Sequence, residues 1–185
     1  MKNKGFSLIE ILVAIVILGT LLIVTLPFFL PEKLKFDEYA NSFVNLLYRA
    51  KMAAIFNLYN ANILYNRNTG VFSVYIDENR NNIRDNNERI IHSFPRGLDF
   101  LTNSQSRLSA VRVFNGNNWV NLIIIANETN IIIFDRLGFA STTTPNTQII
   151  DIHLTNNQVL NRFRYEYVVR VTSGGSIRLI RRRVN

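Results

Sequence analysis

The chain has no cysteine and only two histidines in 185 residues. The missing thiols remove cysteine nucleophiles and cysteine zinc sites. They neither require nor forbid export, since a domain of this size can fold without disulfides. His92 and His153 stand far apart, each in a strand-like stretch, and each reads as an ordinary half-buried imidazole. No Ser/His/Asp arrangement, glycine-rich phosphate loop or pair of carboxylates in an apolar setting occurs. The expectation is a protein that is not an enzyme, needs no cofactor and takes no small-molecule substrate.

Acidic residues are also few: 13 Asp and Glu against 21 Lys and Arg, a net charge of +8. The excess is local. Lys2 and Lys4 precede an apolar block, and the C-terminal stretch sets Arg162, Arg164, Arg170, Arg178, Arg181, Arg182 and Arg183 against Glu166 alone. A local excess of this kind is what a polyanion or an acidic partner surface would feel. The length suits one globular domain plus an elongated element.

Residues 6–30 are apolar except for Ser7, Glu10, Gly19, Thr20, Thr25 and Pro27. As a helix the block would be ~37 Å long, enough to cross a bilayer core. Lys2 and Lys4 would hold its start in the cytoplasm. A conventional signal peptide fits poorly, because the charged start is very short, the apolar run is long and no small-x-small cleavage site follows. A plain anchor leaves Glu10 unexplained, since a carboxylate in an apolar helix is costly without a partner.

The run Lys4-Gly5-Phe6-Ser7-Leu8-Ile9-Glu10 resembles, at every position, the prepilin motif of type IV pilins and type II secretion pseudopilins. The resemblance implies a leader of residues 1–5, removed after Gly5 by prepilin peptidase, and N-methylation of Phe6. It implies that Glu10 neutralises the Phe6 amine of a neighbouring pilin in a filament core, as buried charges survive when paired. The implied course is a single-pass inner-membrane protein with its head in the periplasm, then a pilus or pseudopilus at the cell surface. Pro27 is expected to kink or melt the helix.

From residue 31 the pattern becomes amphipathic. Phe36, Ala40, Phe43, Leu47, Ala50 and Ala54 recur at helical steps. This predicts the second half (31–59) of one long helix, residues 6–59, ending near Tyr59. Thereafter the period is two: Ile63 and Tyr65, a turn at Asn68-Thr69-Gly70, then Phe72, Val74 and Ile76 predict a hairpin. Further strands are predicted at 89–94, 111–114, 121–126, 130–134, 148–154, 164–171 and 177–182. The fold class is α+β: a long N-terminal α-helix packed on an antiparallel β-rich head, residues 60–185. The stretch from Arg49 to Asn57, the loop after Asp77, and Ile133-Phe134-Asp135-Arg136-Leu137-Gly138 are similar to the GspH/FimT class of minor pilins and pseudopilins. That similarity implies a low-abundance subunit of the initiating tip complex.

Two constellations carry possible chemistry. Asp77, Asn79, Asn81, Asp85 and Glu88, with the Ile83 carbonyl, have the spacing of a calcium-binding EF-hand loop. Arg80 and Arg84 offset the charge, and the alternative is a hairpin loop ordered by its own Asx turns. In the basic tail, a three-residue loop pairing Ser173 with Ile177 would put Arg164, Arg170, Arg178 and Arg182 on one face. Tyr165 and Tyr167 would point the other way, leaving no aromatic among the arginines. With Arg183, these arginines are candidate contacts for DNA. Some FimT-like minor pilins bind DNA through a C-terminal glycine-Arg-x-Arg motif; here Ser176 stands at the first arginine position and Arg178 at the second. The alternative is a solvated or subunit-facing strand.

Overall fold

The computed structural model describes residues 8–29, 32–66, 68–85, 87–94, 106–122 and 128–185. Gly5 and Phe6 therefore lie outside the described residues. Helix α1, Leu8–Phe29, continues past Pro27 rather than breaking there. One missing N–H removes a single rung, and the rungs around it hold the turn. Helix α2, Glu32–Asn57, stops short of the expected end because Leu58 turns left-handed at φ 58°, a conformation that ends helices.

The strands are β1 Asn60–Asn66, β2 Val71–Asp77, β3 Ile90–Phe94, β4 Ser106–Phe114, β5 Trp119–Asn121, β6 Glu128–Phe134, β7 Ala140–Ser141, β8 Ile149–Asn156, β9 Tyr165–Thr172 and β10 Ile177–Arg183. They form two five-stranded antiparallel sheets rather than one, in the orders β3-β2-β1-β6-β7 and β10-β9-β8-β4-β5. The hairpin at Asn68-Thr69-Gly70 forms as expected, with Gly70 at φ 69°. Of the strand predicted at 121–126, Asn121 ends β5 and residues 123–126 lie outside the described ones. One element is unexpected. A helix, α3 Asn157–Phe163, interrupts the predicted β run. The Asn156 side chain caps it by accepting from the Gln158 and Val159 amides, an arrangement that favours a helix start.

α2 lies between the sheets and makes the core. Its Phe36, Ala40, Phe43, Leu47, Ala50 and Ala54 are fully buried, as their spacing on one stripe dictates. The alanines let strands approach closely, and the aromatics reach into both sheets. Phe43 meets Phe72 of β2 at 4.6 Å between ring centroids, and Phe36 meets Tyr167 of β9 at 5.2 Å, within the range where aromatic pairs add to simple burial. Polar ties, among them the Tyr48 hydroxyl donating to the Ile177 carbonyl at 3.2 Å, fix the helix along the second sheet. Asp37 Oδ1 accepts from the Tyr165 and Tyr167 hydroxyls at 3.0 and 2.8 Å, and Lys51 Nζ donates to the Gly175 carbonyl at 2.9 Å.

The sheets also meet through their turns. Gly175, at φ 75°, lies so near Gly138 that a Cβ would sit 2.0 Å from the Gly138 carbonyl oxygen. No rotamer change relieves a clash with backbone, so Gly175→Ala should lower the melting temperature by several degrees. Thermal denaturation checks this, with Gly174→Ala, which meets only the end of Thr172, as the mild control.

Burial, reinforced by the Asp37 hydrogen bond, raises the pKa of both Tyr165 and Tyr167, the latter to about 12. In the unfolded chain a tyrosine ionises near 10. The folded state thus holds protons that the unfolded state has lost, so stability is full below pH ~10 and falls as pH rises from there towards 12. An alkaline unfolding transition in that window, followed by circular dichroism and tyrosinate absorbance, is expected. Asp37→Asn, which removes the charge opposing ionisation, should separate phenol ionisation from unfolding.

Candidate functional site

The first candidate is α1 itself. From Leu8 to Leu21 its large apolar side chains stand exposed, among them Leu8, Ile11, Leu12, Ile15, Leu18 and Leu21. They occupy all sides of the helix, which marks a helix made for an apolar surrounding. Each such side chain gains about 1.5–3 kcal/mol when fully buried. Glu10 lies in the first turn, among them. The expected spanning block, residues 6–30, is not seen as a span: among the described residues no helix is long and apolar enough to cross a membrane.

The second candidate is the face of the second sheet turned away from α2. The β9–β10 register pairs Ile177 with Val171 and Arg178 with Arg170, two residues from the expected pairing. The loop is still three residues, because Thr172 N donates to the Ser176 carbonyl. A slip of two preserves side-chain facing, so Arg170, Arg178 and Arg182 share the outer face as expected. Arg164 does not join them; it is the left-handed C-cap of α3, at φ 51°. Arg183 pairs with Tyr165 in the other set of facing residues.

The arginines that do share the face are not all available. Arg170 makes a two-point contact with Asp151, Nε to Oδ1 at 2.8 Å and Nη2 to Oδ2 at 2.7 Å. Arg182 reaches Glu166 Oε1 at 2.6 Å, the same oxygen that lies 3.1 Å from His153 Nδ1. Arg178 has no ion pair among the described residues and is exposed. An aromatic does accompany them: Trp119, from β5, lies under Arg112 and Arg170 with guanidinium carbons 5.3 and 5.9 Å from its centroid. Arg112, Asp151, Arg170 and Arg178 form one row across four strands. The sequence marked the arginines but not these partners, because Asp151, Glu166 and Trp119 join them only through strand pairing.

The loop after β2 is the third candidate. Asp77 Oδ1 and Oδ2 accept from the backbone amides of Asn81 and Asn82 at 3.2 and 2.8 Å. Asn79 and Asn81 turn their side-chain nitrogens to Asp85 Oδ2, and Ile83 N donates to Asn81 Oδ1 at 2.7 Å. These are Asx turns, not the EF-hand arrangement. Asn79, Asn81 and Ile83 are exposed, whereas Asp77 and Glu88 are buried, so the expected ligands divide between the surface and the interior. Among the described residues no three acidic or histidine side chains converge as for a metal.

Comparison with known proteins bears on the first candidate. Residues 1–26 match the prokaryotic N-terminal methylation motif. The chain is 32% identical over 89 residues to the pilin-like protein PilA1 of Thermus thermophilus, a match covering 48% of this chain and 57% of that protein. It thus spans little more than half of that relative's length. The minor pseudopilin EPSH from the type II secretion system of Vibrio cholerae aligns over 79% of this chain and 93% of its own, with a TM-score of 0.46 and 12% identity. In its N-terminal motif and over the matched stretch, the chain is similar to pilin-like proteins.

The pairing in the second sheet separates structural from available arginines. Arg170→Ala would leave the carboxylate of Asp151, 7% exposed, without its partner; because the Arg170 side chain is itself 38% exposed, solvent screens the pair and the cost should be about 1–3 kcal/mol. Arg178→Ala should change stability by less than about 0.5 kcal/mol, as at an ordinary surface position. Denaturant unfolding of the two variants reads the difference.

Proposed function

We propose that the chain is a structural and assembly subunit, a minor pilin or pseudopilin of the GspH/FimT kind, that enters a filament through α1. The observation that carries this is a methylation motif over residues 1–26 running into a helix whose apolar residues are exposed on every side. Such a helix is stable in a membrane or among other helices like itself, and burial of its side chains supplies the drive for leaving one environment only for the other. The head hangs from it through α2, whose opposite face the sheets already cover.

In this reading prepilin peptidase removes residues 1–5, Phe6 is methylated, and Glu10 meets the Phe6 amine of the adjoining pilin. The protein resides in the inner membrane with its head outside the cytoplasm, then in a pilus or pseudopilus with other pilins as partners. Placement at the filament tip belongs to the same proposal, on the similarity to that class of the segments at Arg49–Asn57 and Ile133–Gly138.

Mass spectrometry of the protein from its native host tests the proposal. The expected species begins at Phe6 and carries one methyl group, and Gly5→Val should accumulate with residues 1–5 attached. A mature N-terminus elsewhere overturns the reading. Glu10→Leu should be processed normally yet fail to enter sheared filaments, since the uncharged helix no longer pairs with its neighbour's amine.

A further inference from the structure

The face of the first sheet turned away from α2 carries a cluster of oxygens that lacks positive charge. Asp77, at the end of β2, is wholly buried, and Glu88, just before β3, is 8% exposed. Among the described residues neither has a lysine, arginine or histidine within ion-pair distance; nearby Arg84 pairs instead with Glu128 at 3.7 Å. Around them runs a closed network. Asn62, directly across from Tyr75 in the β1–β2 pairing, donates through Nδ2 to the Tyr75 hydroxyl at 2.9 Å and to Asp77 Oδ2 at 3.4 Å. Asn130 donates to the same hydroxyl at 2.9 Å and to the Asn82 carbonyl. Glu88 Oε2 accepts from the Asp85 amide at 3.0 Å.

Among the described residues three buried atoms of this group have no hydrogen-bond partner: Asn62 Oδ1, Asn82 Oδ1 and Glu88 Oε1. All three are acceptors. Asn62 is itself wholly buried, fixed by its nitrogen between the Tyr75 hydroxyl and the Asp77 carboxylate. Asp77 Oδ1, which takes the Asn81 amide alone, keeps a further lone pair. Unpaired buried carboxylates are very costly, and orphaned acceptors add to the cost. Water would satisfy the amide oxygens but not the two negative charges. A hard divalent cation answers both needs, since it seeks carboxylate and amide oxygens. The ligands are irregularly placed, on a strand, on a loop and before a second strand, which suits the variable coordination of calcium better than the strict octahedron of magnesium.

We propose that Asp77, Glu88, Asn62 and Asn82 bind a calcium ion, which fastens the 77–88 loop to the outer face of the first sheet. The site shares only Asp77 and Glu88 with the EF-hand spacing. Asn79, Asn81 and Asp85 are bonded to one another at the surface and lie outside it, and two ligands come from a strand and a position that the spacing does not use. The proposal is independent of filament assembly, so its failure leaves the N-terminal reading standing.

The test uses the full chain in detergent, stripped with EGTA. Calcium at one hundred times its dissociation constant should raise the melting temperature by about 5 °C or more, by mass action on the folded state. Magnesium or sodium at equal ionic strength should raise it by less than about a third as much. Glu88→Gln should abolish the calcium shift, and Asp85→Asn should keep it. Terbium should show tyrosine-sensitised emission that saturates at one ion per chain, is displaced by calcium and is lost in Tyr75→Phe. No calcium shift, an equal shift with magnesium, or a shift lost in Asp85→Asn but kept in Glu88→Gln overturns the proposal. If Glu88→Gln does not fold, the terbium titration of the unaltered chain decides: absence of saturable, calcium-displaceable emission overturns it.

Discussion

The head is organised around a single stripe on α2. Phe36, Phe43 and Leu47 supply its bulk, while Ala40, Ala50 and Ala54 set how near the strands approach. Because the helix is covered from two sides, each sheet needs only one apolar face. The first presents Tyr65, Phe72 and Val74 to it, the second Val169, Val171 and Ile177. The opposite faces are then free to be polar, and it is there that the unusual groups lie: the acceptor cluster around Tyr75 on one sheet and the arginine row on the other. Interior packing of this kind tolerates little change in volume, so the helix acts as the ruler for both sheets.

Much of this arrangement was legible in the residues. Local chemistry announced the two halves of the N-terminal helix, the change of period after it and the hairpin at Asn68-Thr69-Gly70. The facing of the β9–β10 strands followed from alternation alone, and survived a register displaced by two residues because facing depends only on parity. What could not be read required knowing which strands become neighbours. The division into two sheets is a long-range choice: the chain leaves the first sheet after β3, returns to it for β6 and β7, and ends in the second. The pairing of Arg170 with Asp151 exists only because β8 lies beside β9. α3 was hidden because Val159 and Leu160 give too short an apolar pattern, although Asn156 is a recognisable start signal.

The calcium-like spacing shows the same limit from another side. Its residues read as a set along the chain, yet the loop divides them. Asp77 ends a strand and is drawn inward with it, Glu88 precedes the next strand, and the asparagines between satisfy each other's backbone at the surface. A one-dimensional spacing motif presumes one loop geometry. Here the sheet imposes another, and the residue that completes the buried group, Asn62, precedes the loop by a whole hairpin.

The order of strands has a consequence for self-association. A sheet's outermost strand offers unpaired backbone groups to any other chain. Here β7 has two residues and β5 three, too short to template a partner. The longer edges are β3, with five residues, and β10, the last strand of its sheet, which carries Arg178, Arg181, Arg182 and Arg183 within seven residues. Two copies brought together along that edge would align like charges against each other. Strand addition by a second copy along β10 is thereby discouraged.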